Sequence, residues 1–124
     1  MELVSKRYAD VVVLFPSGRL DHATAEAFKA ALGPHLARCT TGGDRVVLEL
    51  SGVEYISSVG LRVLMLACKQ AKAQGGALAV AGLQPVVREI FEISRFNLVL
   101  EVLPTLRDAL AKLSPAALAA FEAA

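Results

Sequence analysis

The chain has 124 residues, 55% of them hydrophobic, and sets 13 Lys and Arg against 12 Asp and Glu for a formal net charge of +1. That length suits one self-supporting domain. With no Lys/Arg cluster and no Trp there is no electrostatic footprint for nucleic acid, so DNA and RNA are not expected partners. No apolar run approaches the roughly 18 residues that a membrane-spanning helix needs, so no transmembrane segment is expected. The start, Met1 to Arg7, carries acidic and polar residues before any apolar run, unlike a secretory leader, and a cytoplasmic protein is expected. Cys39 and Cys68 lie far apart and form neither a C-x-x-C pair nor a disulfide framework.

In chain order, Glu2 to Ala9 and Val11 to Phe15 read as a hairpin of two strands turning at Asp10. The second strand is apolar on both faces, which predicts a central position in the sheet. Asp21 has the chemistry of a helix N-cap, and Ala25, Phe28, Ala31 and Leu32 share one face of the helix that follows. Gly33 and Pro34 predict a kink or restart of that helix. A loop, Thr40 to Asp44, leads to a buried strand, Arg45 to Leu50, rich in β-branched residues. Val53, Tyr55 and Ile56 then hold a connecting segment on the core.

The stretch Ile56-Ser57-Ser58-Val59-Gly60-Leu61 joins that strand to a second helix, Val59 to about Gln74, which stops at Gly75-Gly76. A hydroxyl there lies beside unpaired N–H groups and the positive end of the helix dipole, a position that suits a phosphate. Ser57 or Ser58 also serves there simply as a cap. Leu61, Leu64, Met65, Cys68 and Ala71 form the expected core stripe. Val59, Val63 and Leu66 fall on the opposite side, flanked by Arg62, Lys69 and Gln70, as an apolar strip with a polar rim.

Ala77 to Ala81 predicts a short buried strand, and Pro85 opens a third helix carrying Val86, Val87, Ile90, Phe91 and Ile93. Leu98 to Leu103 predicts a last edge strand. Thr105 and Asp108 suit the start of a fourth helix burying Leu106, Ala109, Leu110 and Leu113. Ser114-Pro115 restarts an Ala-rich helical tail, 114–124, beyond a domain of residues 1–113. The pattern gives an α/β fold: a single domain with a small mixed β-sheet of about five strands and about four helices.

No motif for catalysis or cofactor binding stands out. Ile56 occupies the first glycine position of a G-x-S-x-G elbow, and no phosphate loop or dinucleotide fingerprint is present. A triad of Ser58 with His22 or His35 and Asp21 is conceivable but lacks motif spacing. The histidines and cysteines are too scattered for a metal site, and no cofactor is expected.

Taken together, Gly18-Arg19-Leu20-Asp21-His22-Ala23-Thr24-Ala25, Val46 to Leu50, Tyr55-Ile56-Ser57-Ser58-Val59-Gly60-Leu61-Arg62, Gly82-Leu83-Gln84-Pro85 and Phe91-Glu92-Ile93 resemble the STAS-domain anti-sigma factor antagonists. The resemblance runs to about Leu113. It implies a STAS-like fold and a bacterial partner-switching protein that is not an enzyme. Such a protein binds an anti-sigma factor, usually a serine kinase, and so frees a sigma factor. Phosphorylation of one serine ends binding, and a PP2C-type phosphatase restores it. The family motif, Asp-Ser-Ser-Gly-Leu, places the phosphorylated serine at Ser58, with Ser57 the lesser candidate. Asp21 matches an acidic residue near that site. The implied partner surface is Asp21, Ser57, Ser58, Val59, Arg62, Val63 and Leu66. Ser57 stands in place of the motif's Asp, Val59 in place of its second serine, and Arg95 where many members have Gly. The missing Asp also fits a STAS interaction module that is not phosphorylated, in a transport or signalling assembly.

Overall fold

The computed structural model describes residues 3–124. Its first two strands, β1 (Val4–Tyr8) and β2 (Val11–Phe15), form the expected antiparallel hairpin, with Tyr8 opposite Val11; Glu2 lies outside the described residues. Val11, Val12, Val13 and Leu14 are all buried, which is why this strand carries no polar residue. It pairs in parallel with β4 (Arg45–Glu49), which pairs with β6 (Leu78–Ala81), which pairs with β7 (Val102–Leu103). The sheet order is β1-β2-β4-β6-β7, with one antiparallel edge.

One face of this sheet buries α1 (Ala25–Ala37), α2 (Ser58–Ala73) and α3 (Pro85–Ile93), with Phe28, Leu32, Leu64, Cys68 and Phe91 among the core residues. The other face buries α4 (Leu106–Leu113) and α5 (Pro115–Ala123) over Val11, Val13, Val47 and Ala81. Residues of alternating direction along β2, β4 and β6 therefore feed two separate cores. On the second face the Phe121 ring meets Tyr8 edge-on at 5.4 Å. Ser114 is buried, accepts from the Ala117 N–H at 3.1 Å, and donates to Asp10 at 2.6 Å.

Several local expectations need correction. Asp21 does not cap α1: its carboxylate accepts the Ala23 N–H at 3.0 Å and closes a turn, and Thr24 holds the N-cap position. Gly33 and Pro34 do not restart α1, which runs on to Ala37. Ala30, whose carbonyl loses its partner at Pro34, is exposed, so the lost bond is not sealed in the core. The segment after Gly52 is a strand, β5 (Val53–Ile56), paired in parallel with β3 (Gly18–Leu20) as a two-stranded ribbon outside the main sheet. Of the predicted strand Leu98 to Leu103, only Val102–Leu103 pairs; Phe96–Leu98 is a 3₁₀ turn.

Candidate functional site

The β3–β5 ribbon builds the site. Its strands end side by side, Leu20 against Ile56, so the residues that follow them, Asp21 and Ser57, emerge from neighbouring chain ends. The Ser57 N–H donates to the Leu20 carbonyl at 2.9 Å and ties the start of α2 to the end of β3. Gly60, in the first turn of α2, completes the seam. A Cβ there would lie 2.4 Å from the Leu20 carbonyl oxygen and 2.9 Å from Ile56, so only glycine lets the helix approach the ribbon this closely.

The adjacent serines differ in their bonding. Ser57 is the N-cap, with extended backbone, and its hydroxyl accepts the Gly60 N–H at 3.4 Å while its carbonyl accepts the Leu61 N–H at 2.9 Å. Asp and Ser are both strong caps, and Ser57 caps α2 at the position where the motif has Asp. Ser58 is the first helical residue; it is exposed, and its hydroxyl has no hydrogen-bond partner among the described residues.

Asp21 is half-buried beside this start. Partial desolvation works to raise its pKa, but hydrogen bonds from the Ala23 N–H, Arg19 and Thr24 together hold it below the ordinary carboxylate value. Arg19 pairs with Asp21 at 3.4 Å and lies over the Tyr55 ring, 4.4 Å from its centroid. Neither Arg19 nor Tyr55 is among the site residues expected from sequence, although Tyr55 is expected on the core and both lie in the stretches that carry the resemblance; two short segments, each ending just before a candidate residue, were the available signal.

Along α2, Ser58, Val59, Arg62, Leu66 and Lys69 share the exposed face, with Val59 at 42% and Leu66 at 41% exposure. Val63 does not belong to the exposed strip. It is half-buried against the core, in a notch with Leu32 and Leu36 of α1. Met65, expected in the core, is half-exposed. It lines an open groove of about 420 Å³ with Ser58, Val59, Leu61, Arg62, Ser94 and Phe96. The helix is thus rolled by part of a turn relative to the expected stripe, because α1 packs along its Val63 side. Ile93 at the end of α3 is exposed at 75%, and Leu98 and Val99, expected in a strand, are exposed at 76% and 44%.

The histidines do not meet the serines. Neither His22 nor His35 hydrogen-bonds Ser57 or Ser58 among the described residues, and His35 lies near Lys6, Arg7, Arg38 and Asp44 instead. No helix among the described residues is long and apolar enough to cross a membrane.

The chain is similar in sequence and in fold to known proteins. The chain is 40% identical over 96 residues to BtrV of Bordetella bronchiseptica, whose name includes anti-sigma factor antagonist; the match covers 77% of this chain and 80% of BtrV. It is 32% identical over 100 residues to the anti-sigma-F factor antagonist RsfB of Mycobacterium tuberculosis, covering 81% and 79% of the two chains. The solved structure of an anti-sigma factor antagonist from Mycobacterium paratuberculosis superposes with a TM-score of 0.81 at 27% identity, over 90% of this chain and 92% of that one. The family model described as STAS domain matches residues 2–109, and the chain belongs to the STAS domain family.

Proposed function

We propose that this protein is an anti-sigma factor antagonist of a bacterial partner-switching pathway, a binding regulator rather than an enzyme. In its unphosphorylated form it binds an anti-sigma factor that is also a serine kinase, and so frees a sigma factor. Phosphorylation of Ser58 ends that complex, and a PP2C-type phosphatase resets it. The names of the 40% and 32% identical relatives support the antagonist role. The observation that carries the choice of residue is the difference between the serines: Ser57 is engaged as a cap, whereas the Ser58 hydroxyl is exposed and without a partner. The partner surface we assign comprises Asp21, Ser58, Val59, Arg62 and Leu66, with Ser57 and Val63 supporting it from beneath.

Phosphorylation adds about 1.5 to 2 negative charges. Within the chain the charge is tolerated, because it meets the N-terminal end of the α2 dipole and Arg62 one turn further along the same face. Against a partner it must be desolvated next to Asp21, which is costly unless it is paired. A loss of about 3 kcal/mol lowers affinity roughly a hundredfold, so the charge alone separates the two states without refolding.

The test is phosphopeptide mapping across Ser57 and Ser58 of protein taken from its host with phosphatases inhibited, combined with binding of the variants to the host's purified anti-sigma kinases. Phosphate on Ser58, Ser58→Ala binding as wild type does and Ser58→Asp binding at least about tenfold more weakly is the expected result. Equal affinities for Ser58→Ala and Ser58→Asp would overturn the reading.

A further inference from the structure

We propose that the anti-sigma factor seats on two limbs of this surface: the outer face of α2 and, across the groove, the segment Ile93–Val99. It enters with an apolar segment that carries a carboxylate opposite Arg62. The inference rests on the reading above and deepens it by naming the chemistry of the partner.

The outer face of α2 is too small alone. Its exposed apolar residues are Val59 and Leu66, each less than half exposed, whereas a stable interface covers about 800 Å² per partner. The groove is lined by Ser58 and also by Ser94 and Phe96, and Ile93 and Leu98, the most exposed large apolar side chains among the described residues, stand close to those two in the chain.

That segment is built rather than frayed. The Leu98 N–H donates to the Arg95 carbonyl at 3.1 Å, and the Val99 and Leu100 N–H groups donate to the Phe96 carbonyl at 3.0 and 2.8 Å. Phe96 faces Phe91 with ring centroids 6.3 Å apart, and Leu100 is buried. Inward anchors thus hold the outward side chains in place, which lowers the ordering cost of a partner.

Charge specifies the occupant. Arg62 is the one charged side chain lining the groove, and among the described residues it makes no ion pair. An apolar insert with a carboxylate satisfies both the floor, Leu61, Met65 and Phe96, and the cation. The same cation stands one helical turn from Ser58, so a phosphate on Ser58 competes with the partner's carboxylate for Arg62. The switch then both adds a repulsive charge and withdraws an attractive one.

The test measures binding of the unphosphorylated full chain to the purified host anti-sigma kinase that modifies Ser58. The variants are Ile93→Ser with Leu98→Ser, Arg62→Glu, and Val4→Ser as a control on the β1 edge. The double variant and Arg62→Glu are expected to bind at least about tenfold more weakly, with Val4→Ser unchanged and all melting curves matching wild type. Wild-type affinity for the double variant would overturn the second limb and leave the antagonist reading intact. A wild-type dimer that the double variant dissolves would make the occupant a second copy and overturn the proposal. Failure of every host anti-sigma kinase to bind the wild type would overturn both the proposal and the reading.

Discussion

Gly60 and Arg95 show opposite uses of backbone freedom. At Gly60 the requirement is space, since a methyl group would press on the Leu20 carbonyl, a main-chain atom that cannot rotate away. Ala has the better helix propensity by about 1 kcal/mol, yet overpacking against backbone costs about 1–3 kcal/mol or more. Gly60→Ala is therefore expected to lower stability by about 1–2 kcal/mol in denaturant unfolding and to weaken partner binding further, by displacing Ser58. Arg95 has φ of 60° and ψ of 23°, the left-handed conformation that closes α3. This explains why glycine suits the position: a side chain there costs about 1–2 kcal/mol, partly offset by the freedom that glycine regains on unfolding. Arg95→Gly should raise stability by about 0.5–1 kcal/mol, seen as a higher denaturant midpoint at unchanged slope.

Among the elements, α5 depends most on one residue. Ser114 ends α4, caps α5 and binds Asp10 at the hairpin turn, while Arg45 hydrogen-bonds the Leu113 carbonyl and pairs with Asp10 at 3.5 Å. Ser114→Ala removes a cap and leaves a carboxylate without its hydroxyl, so a loss of about 1–2 kcal/mol is expected. Hydrogen exchange should localise the effect to α5 and the β1–β2 turn, with α2 unchanged. The elements also mark where reading the sequence succeeds. The apolar run Val11 to Leu14, Pro85 at the start of α3 and the bond from the Asp108 N–H to Thr105 at 3.1 Å follow from local chemistry and were legible. The β3–β5 ribbon was not, because three or four residues are too few for periodicity and their pairing is long-range. The roll of α2 was missed for a similar reason: Val63 and Met65 sit at the margins of the wheel, and only the placement of α1 decides which one is covered.

For the molecule as a whole, the carboxylates set the response to acid. Asp44 is held low by a two-pronged hydrogen bond from Arg7, 3.0 Å on each arm, and Asp10 chiefly by the Ser114 hydroxyl, with partial burial opposing. Asp21 is shifted the same way. For all three the folded pKa lies below the ordinary value of 3.8, so the folded state releases these protons more readily than the unfolded one. Their contribution is complete above that value and is lost as pH falls through the lower folded one. The melting temperature should hold steady from about pH 7 to 5 and fall below about pH 4, and Asp44→Asn should shallow that fall. At this scale the sequence made the α/β class and the mixed sheet plain. The strand Val11 to Phe15, apolar on both faces, and the buried face of α4 pointed to cover beyond one side of the sheet; that α5 completes the second core was not legible, since Ala117 and Phe121 join it only through tertiary packing.

The contact between Leu20 and Gly60 has a kinetic meaning. Main-chain atoms have no rotamers, so the seam beneath Ser58 offers no alternative arrangement into which a new charge could settle. On the proposed reading, the free energy that a phosphate on Ser58 takes from the complex is therefore felt at the interface without a shift of the backbone beneath it. Encounter rates for related complexes vary little compared with dissociation rates. The proposed switch should accordingly act chiefly as a timer on the bound state, shortening its lifetime more than it lowers the rate of encounter.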